Sequence, residues 1–484
     1  MQALTTASLA TIAKQPPSAA TALPTYPRNG QPGVVHLGLG AFHRAHQALV
    51  FDRLLQHGDL RWGVLGVAIR NEALAQTLSA QDGLYSVQIA SNSGTTWQVG
   101  GAIWQTRVAA LEPVTVTHAI GAATTRWVTL TVTEKGYNDE IARLLVDGLA
   151  IRHKLNLPGL TIASCDNLSH NGDKLKALCL KAAQDDMALA AWISNSCTFP
   201  NSMVDRIVPA ATPERISAAA QALGMSDRAA LGTEAFWEWV IEDQFADSAD
   251  APLLRSVGVT VVHDVAPFEE AKLRLLNASH SAMAVIGAVA GLKVIGDCIG
   301  NPAIHQFIHG LMTLDVGPQL NRSDWTQYRD ALIKRFGNPS LQHSVHQIAT
   351  DSSQKIPQRW LATVLQANAL GRASPRLAFA AAAWMRYLLG VDEAGASYVL
   401  NDPMAATLHN LAMVHASDAQ ATVLALGTLE PIWGVNLVAD LPWLANVNRE
   451  LRRINQRGIL NALIELNTEI DTELDTKLGG AQSL

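Results

Sequence analysis

Four cysteines in 484 residues (Cys165, Cys179, Cys197 and Cys298) are too few and too scattered for a disulfide framework, and no CxxC pair offers a structural zinc site. A reducing cytoplasm is the expectation. Charge is scarce too: 16% of residues are charged, the net charge is −6, and no Lys/Arg-rich block runs along the chain. That argues against a general nucleic-acid binder, which needs such a block to neutralise phosphates. Long apolar runs are also missing. The longest, near Ala282–Leu292 and Leu377–Met385, fall well short of the roughly 18 residues of a membrane span. Residues 1–30 are rich in Ala, Thr and Pro, but no basic residue precedes the first mildly apolar run, so no secretory leader is expected. What the chain has is apolar content, 48%, and more length than one ordinary core absorbs. Two well-buried domains are expected.

In the first half, Val34-Val-His-Leu-Gly38-Leu-Gly40-Ala-Phe42-His43-Arg-Ala-His46 reads as a strand, a tight turn and a helix start. Two glycines spaced GxG let backbone approach a pyrophosphate, and a helix N-terminus offers free N–H groups. His43 stands where a third glycine would complete GxGxxG. A second apolar strand, Trp62–Ile69, leads to Asn71 and Glu72. Glu72 could accept from adenosine ribose hydroxyls and disfavour a 2′-phosphate, with Arg70 pulling the other way; Asn71 could simply cap a helix.

Tyr85–Ile89 and Thr96–Val99 flank a Ser-Asn-Ser-Gly turn and predict a hairpin. Trp127–Thr133 is a buried strand ending in Glu134-Lys-Gly136-Tyr137, and Leu160–Cys165 is another, ending in Asp166-Asn167. Helical runs near 41–57, 139–153 and 173–185 alternate with these strands. The pattern predicts an α/β, Rossmann-like, doubly wound parallel sheet with ligands at the strands' carboxyl ends. Phe199–Arg206 reads as a polar loop and Phe236–Asp243 as a further strand.

Strand-like runs vanish from about residue 266, and Ala/Leu-rich helical patterns continue to the end. The expected division is a dinucleotide-binding domain over 1–265 and a mostly α-helical substrate domain over 266–484. Asn338–His343 and Asp351–Arg359 are dense in turn residues and read as ordered loops. Lys272-Leu-Arg-Leu-Leu-Asn277-Ala-Ser-His280 opens a long helical run predicted over Ala271–Ile295. On an α-helix, at about 100° per residue, Asn277 and His280 share a face. Lys272 lies some two turns earlier and must reach along the axis. That spacing suits a pocket where Asn and His hold one oxygen while Lys handles its proton. An internally bonded Asn–His pair without chemistry fits the same spacing.

Seven stretches in order (HLGLGAFHRAHQA, TVTEKGY, SCDNLSHNG, FPNSMVDRIVP, FEEAKLRLLNASH, NPSLQHSVHQIA and RYLLGVDEAG) resemble the polyol-specific long-chain dehydrogenase/reductase family. That family includes mannitol 2-dehydrogenases and fructuronate reductases (D-mannonate oxidoreductases). The resemblance runs from about Val34 to Met404. It implies that Lys272 is the general base, with Asn277 and His280 polarising the substrate oxygen and Glu269 passing protons to solvent. It implies NAD, or less readily NADP, held at Gly38, Gly40, Phe42, Glu72, Glu134, Gly136 and Asn167, and substrate contacts at Asn201 and Arg386. Asp351-Ser-Ser departs from the family's Asp-Gly-Ser. Asn201 looks like the mannitol enzymes, whereas SQKIPQR and VTEKGY look closer to the fructuronate reductases.

The reaction implied is hydride transfer between nicotinamide and a secondary alcohol of a linear sugar acid or polyol, with D-fructuronate/D-mannonate leading and mannitol or arabinitol as the alternative. A lysine serves as base only when burial or neighbouring cations bring its pKa towards neutrality. No metal is implied; His36, His43 and His46 surround the phosphate turn without a thiolate set. None of the six tyrosines has the Lys four residues on that a short-chain dehydrogenase uses. An inactive NAD-sensing protein on the same fold is the remote alternative. A sugar acid needs a cation for its carboxylate: Arg386 is the first candidate, with Arg359 and Arg206 as others.

Overall fold

The computed structural model describes residues 1–14, 21–91, 94–338 and 343–481. Five strands, β1 (Val34–Leu37), β2 (Val64–Ala68), β3 (Ile103–Val108), β4 (Trp127–Leu130) and β5 (Thr161–Ser164), form one parallel sheet in the order β3-β2-β1-β4-β5. β1, β2, β4 and β5 are buried throughout, which is why they read as unbroken apolar runs. The two-residue period divides them between cores: Val34, Val64 and Trp127 pack on one face, and Val35, Leu37, Leu65, Val67, Val128 and Leu130 on the other. Helices α1 (Ala41–Ala45) and α2 (Gln47–Gln56) follow β1, and α3 (Asp139–Lys154) lies between β4 and β5. Asn138 caps α3 by accepting from the N–H groups of Glu140 and Ile141. The strand order reverses between β1 and β4, so the crevice at their carboxyl ends is where such a sheet takes a ligand.

The expected hairpin forms, with Tyr85–Ser91 antiparallel to Gly94–Gly100; Asn92 and Ser93 of its turn lie outside the described residues. Phe199–Arg206 corrects the loop reading. Ser202–Asp205 is a fully buried strand, antiparallel to Glu238–Ile241. Its polar residues hid it, because they bond inward: Ser202 Oγ donates to Ser164 O at 2.5 Å and Arg206 Nη2 to Glu234 O at 2.8 Å.

The chain divides into two units, Met1–Phe268 and Glu269–Leu484. The second is helical, built around α4 (Ala278–Val289), whose residues are all buried. A helix apolar on every side must sit in a core. The helix predicted over Ala271–Ile295 is corrected at both ends. Lys272–Asn277 is a π-helical turn between the α-helix Ala266–Ala271 and α4. The C-terminal end comes early because Gly291 takes φ +75° and the Leu292 N–H returns to Gly287 O.

Asp351–Arg359 also corrects a loop reading, since α5 (Ser352–Arg359) is helical. Asp402 holds its first turn, accepting from Ser353 N at 2.8 Å, Ser353 Oγ at 2.6 Å and Ser352 Oγ at 3.0 Å. The left-handed residue is Asp351, at φ +55°, so Ser352 in place of the family's glycine costs no strain. Pro339–Gln342, from the other presumed loop, lie outside the described residues. Helix α6 (Pro375–Tyr387) packs against α4. Among the described residues, no single helix is long and apolar enough to cross a membrane.

Candidate active site

In the first unit the predicted cofactor residues collect at strand carboxyl ends. Gly38 follows β1 with φ +104°, and a Cβ there would stand 2.1 Å from Thr131 O, so the turn admits only glycine. Gly40 differs: an added Cβ would meet only Gly38 O, at 3.7 Å. The protein itself does not demand glycine there, whereas close approach of a dinucleotide pyrophosphate would. His36 braces the turn, its Nδ1 2.8 Å from Thr129 Oγ1 and its Nε2 2.9 Å from Thr131 Oγ1. Burial pushes its pKa down to about 3, and pushes that of His43 well below the usual range. The two neutral rings stack at 3.3 Å between centroids instead of converging on a point, as metal ligands would. Phe42 stacks on His46 at 5.1 Å.

Glu72 is exposed at the start of the helix Glu72–Ala80, beyond β2, where its carboxylate accepts from Gln76 Nε2 at 2.7 Å. Asn71 is that helix's cap, and Arg70 pairs with Glu140 at 2.8 Å. Beyond β4, Glu134 and Gly136 form a short 3₁₀ turn reached through Thr133 at φ +64°. Asp166 fixes it, accepting from Thr133 N at 2.7 Å and Val132 N at 3.2 Å. Burial raises the Asp166 pKa against those bonds. Asn167, exposed, follows β5. Glu134, Tyr137, Leu168, Lys174 and Leu178 are among the residues lining a cavity of about 440 Å³. Asn201 is held at the start of the helix Asn171–Ala182 that follows β5. It is buried, its Oδ1 accepts from Gly172 N and Asp173 N at 2.9 and 3.1 Å, and its Nδ2 donates to Glu242 at 3.2 Å.

In the second unit Glu269, Lys272, Asn277 and His280 lie along one continuous helical path. The π turn changes their geometry. The Ala278 N–H donates five residues back, to Leu273 O, and such a turn sets residues five apart over one another. Lys272 and Asn277 are five apart. The turn thus brings positions 272 and 277 towards one side of the helix, where an α-helix would separate them by about 140°. Both are half-buried, and His280 is 7% exposed, with Phe336 4.6 Å from its ring centre.

Arg274, within the same turn, is 2% exposed and clamps it, bonding Glu270 at 2.6 Å, Thr363 Oγ1 at 2.9 Å and Gln366 Oε1 at 3.0 Å. From α5, Arg359 Nη1 donates to Asn277 O at 3.2 Å and Ser281 Oγ at 2.7 Å, and the following Trp360 Nε1 donates to Ala278 O at 3.2 Å. Apart from the i,i+4 pair of Arg274 with Glu270, these supports carry no local sequence signal, because their partners are 78 to 92 positions away. Arg386, in the last turn of α6, donates from Nη1 to Val391 O at 2.9 Å.

A parallel sheet in this order with a glycine turn at its reversal point, joined to a helical domain bearing a lysine–amide–imidazole path, defines an oxidoreductase of the dinucleotide-binding class. Residues 32–252 match the mannitol dehydrogenase Rossmann domain and residues 264–454 the mannitol dehydrogenase C-terminal domain. The chain is 37% identical over 463 residues to a D-mannonate oxidoreductase of Escherichia coli (strain K12), covering 88% of this chain and 93% of that one. It superposes on Pseudomonas fluorescens mannitol 2-dehydrogenase, solved as a ternary complex with NAD and D-mannitol, at a TM-score of 0.81 and 29% identity, covering 96% and 99% of the two chains. A substrate-free D-sorbitol dehydrogenase gives a TM-score of 0.86 at 30% identity, covering 96% and 100%. The chain belongs to the mannitol dehydrogenase family.

Proposed function

We propose that this chain is an NAD-dependent dehydrogenase that interconverts D-mannonate and D-fructuronate. The observation that carries the reading is the π turn, which brings positions 272 and 277 towards one side of the helix, one turn before the buried His280. Lys272 takes the proton of the substrate's secondary hydroxyl. Asn277 Nδ2 and a ring N–H of His280 donate to the same oxygen and stabilise the charge that grows there as the C–H bond breaks. Glu269, three residues before Lys272, passes the proton on towards solvent, and in the reducing direction protonated Lys272 returns it. NAD, when bound, would supply the acceptor for the hydride of the carbinol carbon. Gly38 and Gly40 hold its pyrophosphate, with Phe42, Glu134, Gly136 and Asn167 along the same strand ends. Glu72 favours a free ribose 2′-hydroxyl, and Arg70, paired with Glu140, offers a 2′-phosphate little.

Similarity to the D-mannonate oxidoreductase supports the acid, as does the SQKIPQR run. The neutral-polyol alternative draws on the mannitol and sorbitol relatives. Asn201, which leans towards the mannitol enzymes, has its amide engaged by Gly172, Asp173 and Glu242. The test is NADH formation by purified protein with D-mannonate, D-mannitol and D-arabinitol, using NAD and NADP in turn. Activity with NAD on D-mannonate supports the proposal, and activity on a neutral polyol alone moves the chain to the mannitol side of the family.

A further inference from the structure

Three buried arginines of the second unit have their charge answered. Arg274 reaches Glu270 at 2.6 Å, Arg322 reaches Asp324 at 2.7 Å and Arg376 reaches Asp315 at 3.0 Å. Arg359 differs. It is partly buried, and its guanidinium is tied only through Nη1, to Asn277 O and Ser281 Oγ. No carboxylate pairs with it among the described residues. Loss of solvent pushes its pKa down to about 10, and no anion offsets that cost. Lys355, one helical turn earlier on α5, adds a second cation. Its Nζ donates to Ile348 O at 3.2 Å, and burial, then the charge of Arg359, lower its pKa.

The chemistry of the fork decides what fits. Nε–H and Nη2–H point the same way from one edge of a guanidinium, and that edge matches the two oxygens of a carboxylate. In Arg359 this is the edge left without a hydrogen bond, while Nη1 is anchored to the turn that carries Asn277. The other candidates are placed differently. Arg206 spends Nη1 on Ala45 O and both Nε and Nη2 on Glu234 O. Arg386 is anchored to Val391 O, in the loop that follows α6, and not to the Lys272–His280 path.

We infer that Arg359 is the specificity residue, binding the carboxylate of a linear sugar acid through its Nε–Nη2 edge; the inference rests on the sugar-acid reading above. Nη1 keeps that carboxylate in register with Asn277, so the acid end and the reacting hydroxyl are located by one turn. A neutral polyol would cover the guanidinium without pairing it, and a site built for a polar group rejects the analogue that lacks it.

The experiment measures kcat and KM of the full chain with NAD on D-mannonate and D-mannitol, for wild type, Arg359→Gln, Arg359→Lys and Arg386→Gln. Arg359→Gln should raise KM for D-mannonate about 100-fold; loss of the Nη1 bonds to the turn lowers turnover of both substrates, so the reading is the ratio, with kcat/KM falling at least about tenfold more for D-mannonate than for D-mannitol. Arg359→Lys, which keeps charge but loses the fork, should fall between. Arg386→Gln should affect acid and polyol alike. If Arg359→Gln does not fold, Arg359→Lys carries the test, with a selective rise of about tenfold expected for the acid. Equal losses on both substrates would make Arg359 a brace for the turn and overturn the assignment, as would an unchanged preference for the acid. A wild type that oxidises only neutral polyols would instead overturn the sugar-acid reading, and the assignment with it.

Discussion

Asn277 does two jobs that its position in the sequence does not separate. Its carbonyl takes a hydrogen bond from Arg359, while the π turn puts its side chain on the same side of the helix as Lys272, where the proposed function gives its amide the substrate oxygen. Asn277→Ala removes only the second. It should lower kcat on the order of 100-fold, about 3 kcal/mol of transition-state stabilisation, with KM for the substrate and the melting temperature little changed. Steady-state kinetics beside a thermal melt checks this; a large fall in melting temperature with normal kcat in the folded fraction would assign the amide to structure. Gly38 was legible at this scale, because its spacing to Gly40 and the preceding apolar strand announce a turn. Its left-handed φ and the contact with Thr131 explain the residue. Arg359 was legible only as one of three candidate cations, since what singles it out is the missing carboxylate.

Elements show where pattern reading succeeds and where it stops. The buried parallel strands were readable because both faces are apolar, and α4 because it is apolar all round. The π turn was not, since inserting one residue into a helix leaves Lys-Leu-Arg-Leu-Leu-Asn looking like any amphipathic stretch. Helix α5 was misread because two serines at its start and Pro357 inside it are equally at home in a loop, and the deciding partner, Asp402, is 49 positions from Ser353.

The same helical packing buries Asp315 beside Arg376. Burial pushes the carboxyl up to about 6 although Arg376 pulls it down. The folded pKa is thus above that of an unfolded Asp, near 3.9, and the folded state holds the proton more tightly. This group's contribution is present below pH ~4 and is lost as pH rises through about 6. Denaturant midpoints should therefore decline across that window through this residue. Asp315→Asn, which keeps the side chain neutral as the protonated carboxyl is, should flatten the decline. An unchanged slope in the variant would show that other groups set the pH dependence.

At the scale of the molecule, the parallel-sheet class of the first half and the helical character of the second were recoverable from the sequence because apolar periods distinguish strands from helices; the strand order was not. In the proposed function the two units divide the chemistry: one offers strand-end glycines and carboxylates to a dinucleotide, the other a lysine, an amide and an imidazole along one helical path. The account's central claim is that Lys272 moves the substrate proton. The most direct measurement is NADH formation by wild type and Lys272→Ala with D-mannonate across pH, beside NADH binding followed by fluorescence. The expected result is a fall in kcat of about a thousandfold, loss of the alkaline rise in oxidation rate, and NADH affinity unchanged. A variant that keeps wild-type turnover and the same pH profile would contradict it.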